Sequence, residues 1–233
     1  MATAITYKRG QVEWALWRSF NFLRSGPEEP PQVFLTRIKR LLELDREGES
    51  YEESEVPHSL YAFFDESPEG QGRDASYTPF NAFCLALGLD MLDAGFKQSE
   101  IVFLLRHIRE ELEEQFADIL KCPPEPRQRI FAKHRPDCPS YEENGRQFAD
   151  CRVFAVINKL EIKEIFPGLK GRLQGSQPLF LQPVFCRGIK GLQEELHKMN
   201  YNYRKALILE LAHTAALVTE FLDEAPLVKR GRK

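Results

Sequence analysis

Residues 77–105, YTPFNAFCLALGLDMLDAGFKQSEIVFLL, constrain this chain more than any other stretch. Phe83, Leu87 and Met91, with Phe80 and Leu92 beside them, recur at the three- and four-residue steps of a helix with an apolar face. Pro79 suits the first turn of that helix, where a missing N–H costs nothing. Gly95 suits a left-handed C-cap, and a second helix starts near Ser99-Glu100. Its stripe of Ile101, Leu104, Leu105, Ile108, Leu112, Phe116 and Ile119 predicts one helix to Leu120, about five turns, longer than packing inside one small domain requires.

Two more helices precede this pair. One runs from Arg9 to about Leu23, where Val12, Leu16 and Phe20 mark a buried stripe before Ser25-Gly26-Pro27 ends it. The next runs from Gln32 to Arg46, with Phe34, Ile38, Leu41 and Leu42 facing inward and Arg37, Lys39 and Arg40 falling outside the stripe. The acidic run 47–55 reads as a surface loop. Leu60–Phe64 has aromatic strand character, residues 65–74 are dense in turn formers, and Ala75–Thr78 can return as the second arm of a β-hairpin.

Beyond Leu120 the pattern changes. Five prolines between Cys122 and Pro139 break regular structure, so 121–150 reads as a connector. Cys151–Leu160 and Pro178–Cys186 read as buried strands on either side of the turns around 167–175, and a short helix follows Gly191. A strong helix is expected from Tyr203 to Asp223 on Leu207, Leu211, Ala215, Val218 and Leu222. Residues 225–233 form a basic tail ending in KRGRK.

At 233 residues, 42% hydrophobic and 29% charged, the chain is long enough to bury a core and ordinary for a globular protein. It has no apolar run of the roughly 18–20 residues that spans a bilayer, and its first residues carry no apolar signal core. Five cysteines without a CxxC point to reduced thiols and a cytoplasmic setting. A net charge of −3 argues against indiscriminate coating of nucleic acid. The charge is nevertheless uneven: residues 1–46 hold eight Lys/Arg against five Asp/Glu, and 47–70 hold eight acids with no Lys or Arg.

The order helix, helix, aromatic hairpin, helix, helix resembles the DNA-binding half of MerR-type transcription regulators, over about residues 7–120. Tyr77 closes the hairpin, Gly95-Phe96 follows eighteen positions later, and Gly95–Ile101 (GFKQSEI) is similar to the family's G-F-[ST]-[LI]-x-E-I turn. The chain departs from the family in the proline-rich link Arg24–Pro31, the acidic loop after Arg46 and the missing R-Y-Y triplet. The resemblance implies a winged helix-turn-helix with Val33–Arg46 as recognition helix and Gly70–Arg73 as wing tip. It also implies a bacterial, nucleoid-associated homodimer on a pseudo-palindromic site, with RNA polymerase or another regulator as a further partner. Arg37, Lys39, Arg40 and Arg46 are then major-groove candidates, Arg73 a wing contact, and Arg9 and Tyr77 backbone contacts. The competing reading is a noncatalytic protein-interaction adaptor on the same fold. The expected dimer contacts are the 99–120 stripe or the helix 203–223, whose Ala206, Ala212, Ala215 and Ala216 allow close approach.

Sharper chemistry finds little support. Cys122, His134, Cys138 and Cys151 are zinc-ligand types, but C-x11-H-x3-C-x12-C matches no established ligand pattern. Glu210 and His213 would form half of a carboxylate-bridged di-iron motif, with no second E-x-x-H helix to complete it. Neither a P-loop, a G-x-G-x-x-G nor a G-x-S-x-G occurs, and no nucleophile, base and oxyanion donor assemble. The expectation is an α+β protein without cofactor, metal or catalysis. It comprises a mainly helical winged helix-turn-helix (7–120), a connector (121–150) and a small strand-and-helix C-terminal module (151–224) for dimerisation or regulation.

Overall fold

The structure is a computed structural model, and it describes residues 5–22, 27–47, 61–66, 75–121, 140–143, 146–158, 183–198 and 206–226. The chain mixes helix with small antiparallel sheets, an α+β protein. It divides into two units, Met1–Arg109 with Leu217–Lys233, and Glu110–Ala216. Arg73, the acidic run after Glu47, the stretch 122–139 with three of the four zinc-type residues, and the basic tail lie outside the described residues.

The first unit opens with β1 (Tyr7–Lys8), α1 (Arg9–Phe20) and α2 (Gln32–Glu47). It continues with β2 (Ser76–Tyr77), α3 (Pro79–Asp93) and α4 (Gln98–His107). Helix α3 is the axis of the unit: Phe80 to Leu89 are buried without a break. Thr78 caps it by accepting from the Asn81 N–H at 3.2 Å, with Pro79 in the first turn. At the other end Phe96 N–H donates to the Met91 carbonyl and Gly95 N–H to that of Leu92, both at 3.0 Å. Gly95 has φ +84, so the expected glycine C-cap is a Schellman turn. A Cβ on Gly88 would meet Ile101, Leu41 and Phe63 side chains at 3.4 Å, which marks where α4, α2 and the segment 61–66 converge on α3.

The hairpin expected between 60–64 and 75–78 is corrected. Strand β2 pairs with β1, Tyr7 opposite Tyr77 and Lys8 opposite Ser76, and Tyr61–Phe64 has no strand structure. The reason is local competition for backbone hydrogen bonds. The Asp45 carboxylate accepts the N–H groups of Ala62 and Phe63 at 2.9–3.0 Å, and Arg109 donates to the Ala62 carbonyl at 2.6 Å. Side chains have taken the groups that a strand partner would have used.

The long helix expected from Ser99 to Leu120 is two helices, α4 and α5 (Arg109–Lys121), interrupted at Ile108. Its apolar stripe is covered within the chain, with Ile101, Leu104, Leu105, Ile108, Leu112, Phe116 and Ile119 all buried.

The second unit contains a hairpin, β3 (Ser140–Glu143) with β4 (Arg146–Ala149), inside the stretch read as connector. It also holds a three-stranded antiparallel sheet in the order β6 (Val184–Arg187), β5 (Val153–Asn158), β7 (Ala206–Glu210). The central strand β5 is buried at every position. Helix α6 (Gly188–Lys198) lays Leu192 and Ile189 against Phe154, Val156 and Cys186. The single helix expected over 203–223 is strand β7 followed by α7 (Ala212–Glu224). Glu210 makes the switch, accepting from the N–H groups of Ala212 and His213 at 3.0 and 2.9 Å as an N-terminal cap. Ala212, Ala215 and Ala216 are buried, and Ala206 on β7 is partly so.

Cys84 and Cys186 are buried, and neither is in a disulfide. Cys151 is disulfide-bonded, against the expectation of reduced thiols.

Candidate nucleic-acid interface

Helix α2 carries most of the predicted site residues. Its 16 residues are held down by Ile38, Leu41, Leu42 and Asp45, all buried, at i, i+3, i+4 and i+7. Arg37, Lys39, Arg40 and Arg46 are all exposed, so the anchoring that a groove-reading helix needs is present. At 3.6 residues per turn, however, the four cations do not point one way. Arg37 and Arg40 lie roughly 60° apart on one flank of the exposed face, and Lys39 and Arg46 lie together on the other.

The acids nearby leave these cations accessible. Arg37 stands 4.0 Å from Asp93, with side chains 52% and 86% exposed, and Lys39 pairs with Glu43 at 3.5 Å. Exposed pairs of this kind are worth about 0–1 kcal/mol and yield readily to a stronger anion. Beside Asp93, burial and then the Asp93 charge push the Asp90 carboxyl up to about 6.

Arg46 belongs to a different grouping. Its guanidinium carbon lies 5.2 Å from the centre of the Phe64 ring, and that ring lies 5.7 Å from the Tyr77 ring. Tyr77 is 1% exposed, and the ladder sets it opposite Tyr7, one residue before Lys8 and two before Arg9. Arg9 pairs with Glu13 at 2.7 Å. Burial raises the Tyr77 hydroxyl pKa, against the opposing pull of Arg46 and Arg9, while Glu13 adds to the rise. The structure thus brings Arg9, Arg46 and Tyr77 together and leaves Arg37 and Arg40 as a separate pair.

Two further arginines of the unit face inward. Arg106 donates through Nε to Asp45 at 2.8 Å and through Nη2 to the Asp45 carbonyl, and its guanidinium lies over Tyr61. Burial raises the Asp45 carboxyl above its usual range, against the pull of the Ala62 and Phe63 N–H groups and of Arg106. Arg109 reaches the Ala62 carbonyl, Asp65 at 2.6 Å and Asn81 at 2.9 Å, with its guanidinium over Phe80. Asn81 completes the ring by donating to Asp65 at 3.1 Å. These contacts fix Tyr61–Asp65, and with it the Phe64 ring under Arg46. Sequence reasoning missed the role of Asp45, yet its position seven residues after Ile38 on the buried stripe was a readable sign.

The other chemistries weighed on sequence become structural. Glu210 sits on a strand, so Glu210 and His213 do not project from one helix; their 3.3 Å contact raises the His213 pKa and belongs to the α7 cap. Asp150 accepts from Arg152 and from the Ile189 N–H at 2.7 Å, which joins β5 to the start of α6 and holds its carboxyl below the usual range despite burial. Among the described residues no group of His, Cys, Asp and Glu is arranged to hold a metal ion, and no helix is long and apolar enough to cross a membrane. No protein-family model matches the chain, and no curated protein or solved structure matches it significantly.

Proposed function

We propose that the protein is a sequence-specific double-stranded DNA-binding transcription regulator that uses the exposed side of α2. The observation that carries the reading is a 16-residue helix, pinned on one side by Ile38, Leu41, Leu42 and Asp45, that presents Arg37, Lys39, Arg40 and Arg46 to solvent on the other. A helix of that build fits the major groove, where Arg reads guanine edges and Lys or Arg neutralises phosphates. Arg37 and Arg40, adjacent on one flank, are the base-reading pair. The proposal rests on α2 and not on a wing, because Ser76 and Tyr77 pair with Tyr7 and Lys8 rather than with residues 61–64.

A homodimer on a two-fold site is part of the same reading. Cytoplasmic, nucleoid-associated residence is part of it too; the Cys151 disulfide pulls against that residence, since such bonds are rare in a reducing cytosol.

The test is selection of a binding site from random duplexes, followed by affinity measurement across salt. The proposal expects affinity to fall steeply and linearly on a log–log scale with salt. It also expects Arg37→Ala or Arg40→Ala to cost about 1–3 kcal/mol and to relax preference at one or two positions. Salt-insensitive, negligible binding would overturn it. The adaptor reading keeps one observation of its own: Val33, 69% exposed, and Phe20 leave apolar surface beside the start of α2. A stable protein complex that Val33→Asp abolishes, without DNA binding, would decide for the adaptor.

A further inference from the structure

Tyr77 is among the largest fully buried side chains of the protein, yet its hydroxyl makes no hydrogen bond of acceptable geometry. Buried hydroxyls are almost always satisfied, and one that is not asks for an explanation. Its surroundings are unusual for an apolar interior. The Phe64 ring borders both Tyr77, at 5.7 Å, and the exposed Arg46, at 5.2 Å, and the Arg46 guanidinium stands close enough to act on the hydroxyl. Arg9, with its side chain 41% exposed, opens α1 directly after the strand that pairs with Tyr77. The first turn of α1 contains no acid, so the positive end of that helix adds to the two guanidinium groups. Among the described residues Glu13 is the one carboxylate acting on the hydroxyl, and Arg9 already holds it at 2.7 Å.

We infer that Arg9, Arg46 and the Tyr77 hydroxyl form a site for one phosphate group. Two guanidinium forks and an O–H offer donors from three sides, which suits a tetrahedral oxyanion better than a planar carboxylate. Glu13 keeps Arg9 in place and leaves the cluster with a net positive charge when Arg46 is counted. Arg46 is the movable cover: exposed and stacked on a ring rather than buried, it swings over the entering phosphate and opens the hydroxyl to it. For the source of the phosphate this site rests on the DNA reading above, in which a backbone phosphodiester enters here while Arg37 and Arg40 face the bases. Inorganic phosphate shares the chemistry, and the experiment separates the two.

The test uses the full chain, wild type beside Tyr77→Phe and Arg46→Gln. Tyr77→Phe removes only the oxygen and keeps the ring in the core, so its thermal midpoint should stay level or rise. Inorganic phosphate is titrated while the arginine Nε–H signals are followed by NMR, and duplex binding is measured across salt. The site expects phosphate to shift Arg9 and Arg46 in the wild type and not in Arg46→Gln. It expects Tyr77→Phe to weaken duplex binding three- to tenfold for every sequence alike, and Arg46→Gln to lower the salt slope by about one. Duplex binding that survives both substitutions, with Arg9 and Arg46 silent to phosphate, overturns the site and leaves the DNA reading standing. Phosphate shifts at these arginines without any duplex binding would keep the site, as one for free phosphate, and sink the DNA reading. A wild type that responds to neither sinks both.

Discussion

Two groups of arginines in the first unit have opposite fates. Arg37, Arg40 and Arg46 on α2 stay in solvent, with exposed acids near some of them at distances that bind weakly. Arg106 and Arg109, next to the end of α4, are 9% and 8% exposed at the side chain and spend their donors on Asp45, Asp65, Asn81 and backbone carbonyls. The interior pair is architecture: it holds the segment 61–65 and prevents it from becoming a strand. The exterior group has almost no architectural duty, which is what leaves it free for a ligand. An arginine's chemistry is the same in both places; what decides its use is whether protein oxygen atoms already satisfy its fork.

Substitutions can break or sharpen that contrast. The largest effect belongs to Asp45→Ala, which takes the carboxylate away from the buried Arg106 guanidinium and from two backbone N–H groups. A loss of about 3–5 kcal/mol in urea unfolding is expected, and a loss under about 1 kcal/mol would show that the interior pair organises nothing. Asp90→Asn comes next. The folded carboxyl is raised to about 6, so Asp90 favours the fold while protonated, below about pH 4, and that contribution fades as pH rises through 6. The asparagine variant should therefore gain on the wild type between pH 4 and 7, by at most about 3 kcal/mol, and a gain that ignores pH would refute the cause given.

Gly88→Val adds a Cβ and two methyls where Ile101, Leu41 and Phe63 already stand at 3.4 Å from the Cβ alone. About 1–3 kcal/mol of destabilisation is expected, read from the thermal midpoint, if α2 is seated as tightly as the buried pair requires. The smallest stability effect is the sharpest for function. Arg37→Ala with Arg40→Ala should change unfolding free energy by no more than about 0.5 kcal/mol, the range for surface positions. A large loss there would make the exposed group structural after all and erase the contrast with Arg106 and Arg109.

Helices with a clean apolar stripe were legible in the residues themselves. Arg9, Gln32, Pro79 and Gly95 mark helix ends close to where the structure has them, because caps and turns are chosen by local chemistry. Strand partners were not legible. Residues 75–78 looked like an arm of the nearest aromatic segment, and instead Ser76 and Tyr77 bond to residues about seventy positions earlier. The hairpin at 140–149 lies in the stretch whose prolines read as a connector, although Asn144-Gly145, a strong short-loop signal, stands between its arms in the sequence. Residues 206–210 carried the spacing of the helix that follows them, and became a strand because β5 supplied a partner.

By itself the sequence determined that α1, α2 and α3 form and that α2 ends up with cations opposite its anchor. Those properties depend on neighbours three or four residues apart. The tertiary structure alone decided which charges are consumed and which are offered. Asp45 meets Arg106 across a separation of 61 positions, and Tyr77 meets Arg9 and Arg46 through a ladder and a ring stack. No local pattern encodes such meetings, because a buried charge or hydroxyl takes its meaning from the partner that folding brings to it.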